Sequence, residues 1–202
     1  MQPTRTRAEA PPFGHTARRA PVAADVRQHR DMDYPLSSLI TQPSAPSQRG
    51  FAEEVAKVVR LPTEHAHLAP TDEGLRLEAV TELDLELAFE ALRKLFPSAR
   101  QGKPQVAYVM QPEFLEPCYI ATLQIPAQSV ASVLADLSMR RGVIVSVNHS
   151  AESSRIVVDL PVSETFGYST SLRTLTQGKG TCTLSLGALR RAGSSGLGKD
   201  AA

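Results

Sequence analysis

Residues 164–180 read Glu-Thr-Phe-Gly-Tyr-Ser-Thr-Ser-Leu-Arg-Thr-Leu-Thr-Gln-Gly-Lys-Gly, and the predicted fold is built outward from them. Tyr168, Leu172 and Leu175 stand at i, i+4 and i+7, the spacing of one apolar stripe on a helix. The closing Gln-Gly-Lys-Gly is typical of a helix end followed by a turn. Over residues 181–186 apolar side chains alternate with Thr and Ser, as in a half-buried strand. The stretch therefore predicts a helix, a turn and a strand.

The same kinds of pattern, followed along the chain, give the order strand, helix, strand, strand, helix, strand twice over. In the first half the predicted elements are 35–41, 51–59, 63–69, 75–80, 85–96 and 105–109. In the second half they are 119–125, 130–137, 143–147, 156–160, 168–175 and 181–186, with Gly142 placed just past the end of the first helix. This order is that of a ferredoxin-like βαββαβ sandwich, a four-stranded antiparallel sheet with two helices on one face. The sequence predicts an α+β protein of two tandem ferredoxin-like sandwiches.

The helices of the second sandwich have a predicted inner face. Leu134, Leu137, Leu172 and Leu175 lie on their apolar stripes and are expected to be buried against the sheet.

Composition narrows the classes of protein to which this chain can belong. Hydrophobic residues make up 42% of the 202 residues, but aromatics only 5% and Trp is absent, so we expect small aliphatic cores. A net charge of +1 creates no global field toward DNA or a membrane, and an RNA contact requires a local basic patch. No apolar run approaches the roughly 20 residues of a membrane-spanning helix. Two cysteines indicate no disulfide scaffold and favour a reducing, cytoplasmic setting.

The same patterns divide the chain into four segments. Residues 1–32, rich in Pro, Arg and Ala, lack apolar periodicity and are predicted to be a disordered tail. Their arginines leave open a role as a phosphate-binding or targeting arm. The two sandwiches are predicted over residues 33–111 and 112–190, and residues 191–202 are predicted to form a second flexible tail.

The sequence of the second half resembles that of the last domain of elongation factor G and its relatives, whose signature runs Phe-Gly-Tyr, Leu-Arg, Leu-Thr-Gln-Gly. The matching residues are Phe166, Gly167, Tyr168, Leu172, Arg173, Leu175, Thr176, Gln177 and Gly178. Residues 115–117 (Leu-Glu-Pro) and 140–142 (Arg-Arg-Gly) also resemble that domain. Residues 102–108 (Gly-Lys-Pro-Gln-Val-Ala-Tyr) resemble the third domain, whose Gly-Glu-Leu-His-Leu appears here without its Gly and His at residues 81–85.

The resemblance implies a non-catalytic module that binds the ribosome near its GTPase-associated region and contacts RNA and proteins of the large subunit. The residues to which it assigns this contact are Arg140, Arg141, Tyr168, Arg173, Gln177, Gly178 and Lys179. The family's GTPase and β-barrel do not fit into residues 1–33, and its fourth domain does not fit between Tyr108 and Leu115. We therefore expect no cofactor and no catalysis, and whether a separate GTPase partner supplies the missing half stays open.

Other interpretations stand beside this one. Arg140 and Arg141 also suit a helix end, where cations complement the helix dipole. A degenerate paralogue and a small-molecule regulatory module of ferredoxin-like fold are the alternatives to a ribosome-binding module.

Catalytic and metal-binding motifs are weak. Residues 193–199 have the spacing of a phosphate-binding loop, but Asp200 stands where the Ser or Thr is needed, so no nucleotide binding is expected. His65 and His67 are expected to be surface imidazoles rather than metal ligands, because no third ligand lies nearby in the sequence. Cys118 and Cys182 are predicted to lie at opposite ends of neighbouring strands and to form no disulfide.

Overall fold

The computed structural model describes residues 33–110 and 114–193. The two predicted tails lie outside this part of the chain apart from residues 191–193, and the phosphate-loop-like stretch lies outside it apart from Gly193.

The first sandwich has the predicted order of elements, with a broken last strand. Its elements are β1 (Leu36–Thr41), α1 (Gln48–Val58), β2 (Ala66–Thr71), β3 (Gly74–Ala79), α2 (Glu82–Leu95), β4 (Arg100–Gln101) and β5 (Gln105–Val106). The sheet runs β2-β3-β1-β4, and β5 also pairs with β1. The prediction of a single strand over residues 105–109 is wrong, because two short pieces share the edge of β1. Pro104, which has no N–H for a ladder, stands between them.

The second sandwich begins earlier and ends later than the sequence pattern indicates. Its elements are β6 (Val109–Met110), β7 (Phe114–Pro126), a 3₁₀ turn (Ala127–Ser129), α3 (Val130–Met139), β8 (Val143–His149), β9 (Ser153–Pro161), a second 3₁₀ turn (Val162–Glu164), α4 (Tyr168–Leu175) and β10 (Thr181–Arg191). The sheet order is β10-β7-β9-β8, and β6 pairs with β7. Both sheets are antiparallel with the sandwich order predicted from the sequence, which confirms the fold class.

Local capping explains where the helices of the first sandwich begin. The hydroxyl of Ser47 accepts a hydrogen bond from the N–H of Gly50 at 3.2 Å, and α1 starts at the next residue after Ser47. The hydroxyl of Thr81 accepts from the N–H of Asp84 at 3.2 Å and caps α2 in the same way. Each cap satisfies one of the N–H groups that the first turn of a helix leaves unpaired.

The apolar stripes of the second sandwich face its sheet. Leu137 on α3 and Leu172 on α4 are buried, which confirms the prediction for these two residues. Leu134 and Leu175 are only half-buried and pack against the rim of the same core.

The two cores meet across the boundary between the sandwiches. Tyr119 and Val162 belong to the second sandwich by chain position, yet they are fully buried in the core of the first. The hydroxyl of Tyr119 donates to the carbonyl of Val80. The N–H of Gly167 donates to the carboxylate of Glu82 at 3.0 Å, so the start of α2 is tied to the start of α4.

Candidate nucleic-acid interface

The end of α4 is a closed turn in which the backbone is fixed by its own hydrogen bonds. The N–H of Gly178 donates to the carbonyl of Arg173 at 2.7 Å, and the N–H of Gln177 donates to the carbonyl of Thr174 at 3.3 Å. This pair of bonds is the Schellman motif, which requires a left-handed residue just past the helix. Gln177 takes that position with φ 53°. An L-residue with a side chain adopts this conformation at some cost in backbone energy.

Thr176 fixes the rest of the turn. Its hydroxyl donates to the carbonyl of Leu172 at 2.7 Å and accepts the N–H of Gly180 at 2.9 Å. A Cβ on Gly180 would lie 2.7 Å from the methyl group of Thr176, so a side chain at position 180 is excluded by contact. The N–H of Lys179 donates to the carbonyl of Thr176 at 3.1 Å. These hydrogen bonds and the close contact at Gly180 therefore fix the backbone conformation of residues 177–180.

The surface of this turn carries polar and basic side chains that the fold does not use. Arg173, Gln177 and Lys179 are exposed. Within residues 33–110 and 114–193, no hydrogen bond or ion pair engages the side chain of Arg173 or Lys179. Lys179 also lines a groove of about 720 Å³ together with Gln128 and Glu152. We call residues 173–180 with this groove the α4 end.

Arg140, at the end of α3, is held by the chain itself. Its guanidinium donates to the carboxylate of Asp136 at 2.9 Å, to the carbonyl of Glu164 at 2.8 Å and to the hydroxyl of Ser171 at 2.9 Å. The central carbon (Cζ) of its guanidinium group lies 5.1 Å from the ring centroid of Tyr168, a cation–π contact. Arg140 thus connects α3 to the first turns of α4.

Tyr168 lies under this contact and faces inward. It is 2% exposed, and burial is the main cause that raises the pKa of its phenol. The sequence pattern predicts Tyr168 on the apolar stripe of α4, and the family resemblance includes it in the RNA contact. In the structure Tyr168 is buried on the apolar stripe.

Arg141 is the left-handed residue at the end of α3, with φ 59°. The N–H groups of Arg141 and Gly142 close a Schellman motif onto the carbonyls of Ser138 and Leu137 at 3.1 and 2.8 Å. The prediction that Gly142 takes the position just past the helix is wrong, because Arg141 takes it. Gly142 is needed for space instead, since a Cβ there would lie 2.9 Å from the carbonyl oxygen of Leu137 and 3.0 Å from Val158.

The left-handed backbone directs the guanidinium of Arg141 at a buried carboxylate. Arg141 donates twice to Glu116, at 2.8 and 3.1 Å, and once each to Glu164 at 2.9 Å and Ser163 at 3.1 Å. Glu116 is 2% exposed. The hydrogen bonds to Glu116 are the largest cause that raises the pKa of Arg141 above its ordinary value. Bidentate pairing of this kind is among the stronger hydrogen-bonded contacts in proteins.

A second arginine joins the same carboxylate from β10. Arg190 lies 3.5 Å from Glu116 and donates to the carbonyl of Arg141 at 3.1 Å. We call Glu116, Arg141, Glu164 and Arg190 the Glu116 cluster. Sequence reasoning missed the roles of Glu116, Glu164 and Arg190, although the Leu-Glu-Pro wording contains Glu116. Residue type alone carries no signal that a glutamate on a strand is buried.

The seven predicted contact residues therefore fall into two groups. Arg173, Gln177, Gly178 and Lys179 lie together on the exposed surface of the α4 end. Arg140, Arg141 and Tyr168 are engaged with other parts of the chain.

The histidines and cysteines weighed in the sequence as a metal pair or a disulfide lie as follows in the described residues. His65 and His67 are exposed, and the ring of His67 stacks on Tyr34 at 6.0 Å between centroids. In the described part of the chain, no group of three or more His, Cys, Asp or Glu side chains is placed to hold a metal ion. Cys118 and Cys182 are free, and burial raises the pKa of the Cys182 thiol to about 11. None of the helices in residues 33–110 and 114–193 is long and apolar enough to cross a membrane.

Comparison with known proteins gives one family for the second sandwich. Residues 113–195 match the family model described as "Elongation factor G C-terminus". The chain is 31% identical over 140 residues to elongation factor G-1, mitochondrial, of Arabidopsis thaliana, covering 68% of this chain and 17% of the relative. It is 45% identical over 94 residues to elongation factor G 2 of Trichodesmium erythraeum (strain IMS101), covering 46% of this chain and 13% of the relative.

A solved structure shares the fold. A protein from Thermus thermophilus superposes with a TM-score of 0.56 at 14% identity, over 80% of this chain and 41% of that one. The chain thus spans less than a fifth of the two elongation factors and under half of the solved structure.

Proposed function

We propose that this elongation factor G C-terminal-like protein is a non-catalytic, cytoplasmic module that binds the ribosome and contacts RNA of the large subunit through the α4 end. The observation that carries the proposal is the fixed turn after α4, in the domain that matches the family. That turn presents the exposed cations Arg173 and Lys179, whose side chains bond to no other group in the described part of the chain.

The chemistry of the α4 end suits a phosphate backbone. Arginine and lysine neutralise phosphates and release the counterions that surround RNA, which supplies most of the affinity of non-specific contacts. Gly178 and Gly180 carry no side chains, so a phosphate can approach the backbone of the turn closely. Because the turn is fixed by Thr176, little conformational entropy is lost when RNA binds.

In this proposal three of the seven predicted residues hold α4 in place and do not themselves contact RNA: Arg140, Arg141 and Tyr168. Arg140 bonds to Ser171 on α4 and to the carbonyl of Glu164 just before it, which fixes the start of the helix that carries the α4 end. We therefore assign these three residues a positioning role and keep Arg173, Gln177, Gly178 and Lys179 as the RNA-contacting set.

The proposal includes no nucleotide hydrolysis by this chain. The family resemblance covers the third and last domains, while the GTPase of elongation factor G lies N-terminal to both.

Ribosome co-sedimentation at several salt concentrations tests the proposal. Lys179→Glu and Arg173→Glu should each weaken retention and lower the slope of log affinity against log salt by about 1, since each removes one phosphate contact. The matched controls are Lys94→Glu and Arg93→Glu, which alter exposed cations at the end of α2. Retention that ignores salt, or that falls equally with the controls, would exclude RNA contact by the α4 end. Absence of any ribosome binding would favour a degenerate paralogue or a regulatory module.

A further inference from the structure

A row of polar side chains crosses the second sheet at the end where α4 finishes. Each strand contributes one residue, paired in register with the next: Thr181 on β10, Gln124 on β7, Arg155 on β9 and Asn148 on β8. We call these four residues the sheet row, and all of them are exposed. Because neighbouring strands lie about 4.8 Å apart, the sheet row spans about 14 Å.

The sheet row lies on the face of the sheet opposite the helices. Leu123, Ile125 and Ile156, which neighbour its residues along the strands, are buried in the core beneath α3 and α4. Since successive side chains of a strand point to opposite faces, Gln124 and Arg155 point away from that core. Packing of the second sandwich therefore does not explain these side chains.

The side chains of the sheet row also have no partner within the fold. Among residues 33–110 and 114–193, none of the four makes a hydrogen bond or an ion pair through its side chain. One guanidinium, two amides and one hydroxyl together provide both donors and acceptors. The row can thus hydrogen-bond to a polar ligand without breaking a contact that stabilises the protein.

The groove of the α4 end connects Lys179 to the sheet row. Lys179 and Gln124 both line it, together with the exposed Gln128 and Glu152 from the turns on either side. One continuous surface therefore runs from Lys179 through the groove to Arg155. It has a cation at each end, amides and hydroxyls between them, and the carboxylate of Glu152 at the groove.

This order of charged and neutral groups fits a single strand of RNA better than a duplex. Cations neutralise backbone phosphates, whichever bases they carry. Amides and carboxylates hydrogen-bond to base edges, and in RNA those edges are accessible mainly where the bases are unpaired, because the major groove of the A-form duplex is too narrow for side chains. None of the four residues of the sheet row is aromatic, so hydrogen bonds rather than stacking would hold the bases.

We infer that the sheet row and the groove bind an unpaired segment of RNA, with its phosphates at Lys179 and Arg155 and its bases at Gln124 and Asn148. Lys179 belongs to the α4 end, so this binding mode rests on the proposed function. It extends the contact surface from the α4 end across the sheet and specifies unpaired RNA as the partner.

Fluorescence anisotropy of the full chain with a labelled oligouridylate tests this binding mode. The same strand annealed to oligoadenylate provides the duplex, which should bind more weakly than the single strand. Arg155→Glu should weaken binding of the single strand and lower the slope of log affinity against log salt by about 0.7, as expected for one phosphate contact on a single strand. The matched control is Arg100→Glu, at an exposed arginine on β4 of the first sandwich, which should change neither value.

Removal of the amides separates base contacts from phosphate contacts. Gln124→Ala and Asn148→Ala should each weaken binding of the single strand about 2- to 10-fold, the loss expected for one hydrogen bond. The slope against salt should stay unchanged, because neither side chain carries a charge. Duplex bound as tightly as the single strand, or full affinity in both alanine variants, would overturn the inference.

Ribosome co-sedimentation of the charge variants distinguishes failure of this binding mode from failure of the proposed function. Retention lost with Lys179→Glu but not with Arg155→Glu would leave the α4 end as the contact and exclude the sheet row. Retention unchanged by both would exclude both. Thermal unfolding of Arg155→Glu should match wild type, since an exposed charge contributes little to folding. A clear loss of stability there would assign Arg155 to the fold and overturn its role at RNA.

Discussion

The two helices of the second sandwich end in the same backbone motif and use it for different purposes. At each end a residue with a side chain takes the left-handed conformation and a glycine follows, Arg141-Gly142 after α3 and Gln177-Gly178 after α4. At the first end the side chain of Arg141 is directed inward to the buried Glu116. At the second end Gln177 is exposed.

The difference lies in what surrounds each turn rather than in the turn itself. The end of α3 faces β7 and β10, whose Glu116 and Arg190 complete a hydrogen-bonded cluster. The end of α4 faces solvent beside a groove. An Arg or Gln before Gly in the sequence therefore does not reveal whether the residue holds the fold or contacts a partner. The neighbouring strands decide which role it has.

Matched glycine substitutions should separate the two ends most clearly. Arg141→Gly takes the bidentate partner from the buried Glu116 but leaves Arg190 3.5 Å away, so we expect a loss in the free energy of unfolding toward the lower end of the about 3–5 kcal/mol that a broken buried pair costs. Gln177→Gly relieves a left-handed strain of about 1–2 kcal/mol and adds a chain-entropy cost of about 0.5–1 kcal/mol, so its stability should stay near wild type. Urea unfolding measures both. Equal losses would show that Glu116 does not depend on Arg141.

The apolar stripe of α4 offers a second comparison, between positions on one helix. Leu172→Ala, at a site that is 3% exposed, should cost about 2–5 kcal/mol because it leaves a cavity in the core. Leu175→Ala, at the half-buried rim, should cost clearly less. Urea denaturation of the two variants side by side is the measurement. If Leu175→Ala proved the more damaging change, the face of α4 that meets the sheet would have been assigned wrongly.

Replacing the glycine at each helix end with alanine should lower the stability of the fold for a different reason. Gly142→Ala places a Cβ 2.9 Å from the Leu137 carbonyl and 3.0 Å from Val158, an overpacking that typically costs about 1–3 kcal/mol. Gly178→Ala meets nothing within 4 Å, but its φ of 79° should cost about 1–2 kcal/mol. Thermal unfolding gives the totals. A Gly142→Ala variant as stable as wild type would show that the close contacts at Leu137 and Val158 relax without cost.

Most of the architecture follows from the sequence because local periodicity is strong in it. The stripes at 3.6-residue spacing and the alternation at spacing 2 predict the helices and the order of both sheets. The exceptions lie where the pattern is short. β4 and β5 have two residues each, and β6 belongs to the second sheet although the sequence pattern assigns Val109 to a strand of the first.

The residues of the candidate site also divide into those whose exposure follows from local pattern and those whose role depends on distant partners. The exposure of Arg173 and Lys179 follows from their places on the polar side of the α4 stripe and in the turn, which Gly178 marks. The functions of Arg140, Arg141 and Tyr168 depend on residues 23 to 31 positions away or on another helix, and no local pattern encodes such distances.

The sequence by itself determined two sandwiches, the faces of their helices and the turn after α4, because each depends on interactions between near neighbours in the chain. The tertiary structure alone decided that Glu116 is buried, that Arg141 rather than Gly142 is left-handed, and that Tyr119 and Val162 complete the core of the first sandwich. The physical reason is that burial of a charge or an aromatic ring depends on partners from distant segments. Those partners come together only when the sheets pair and the two sandwiches pack.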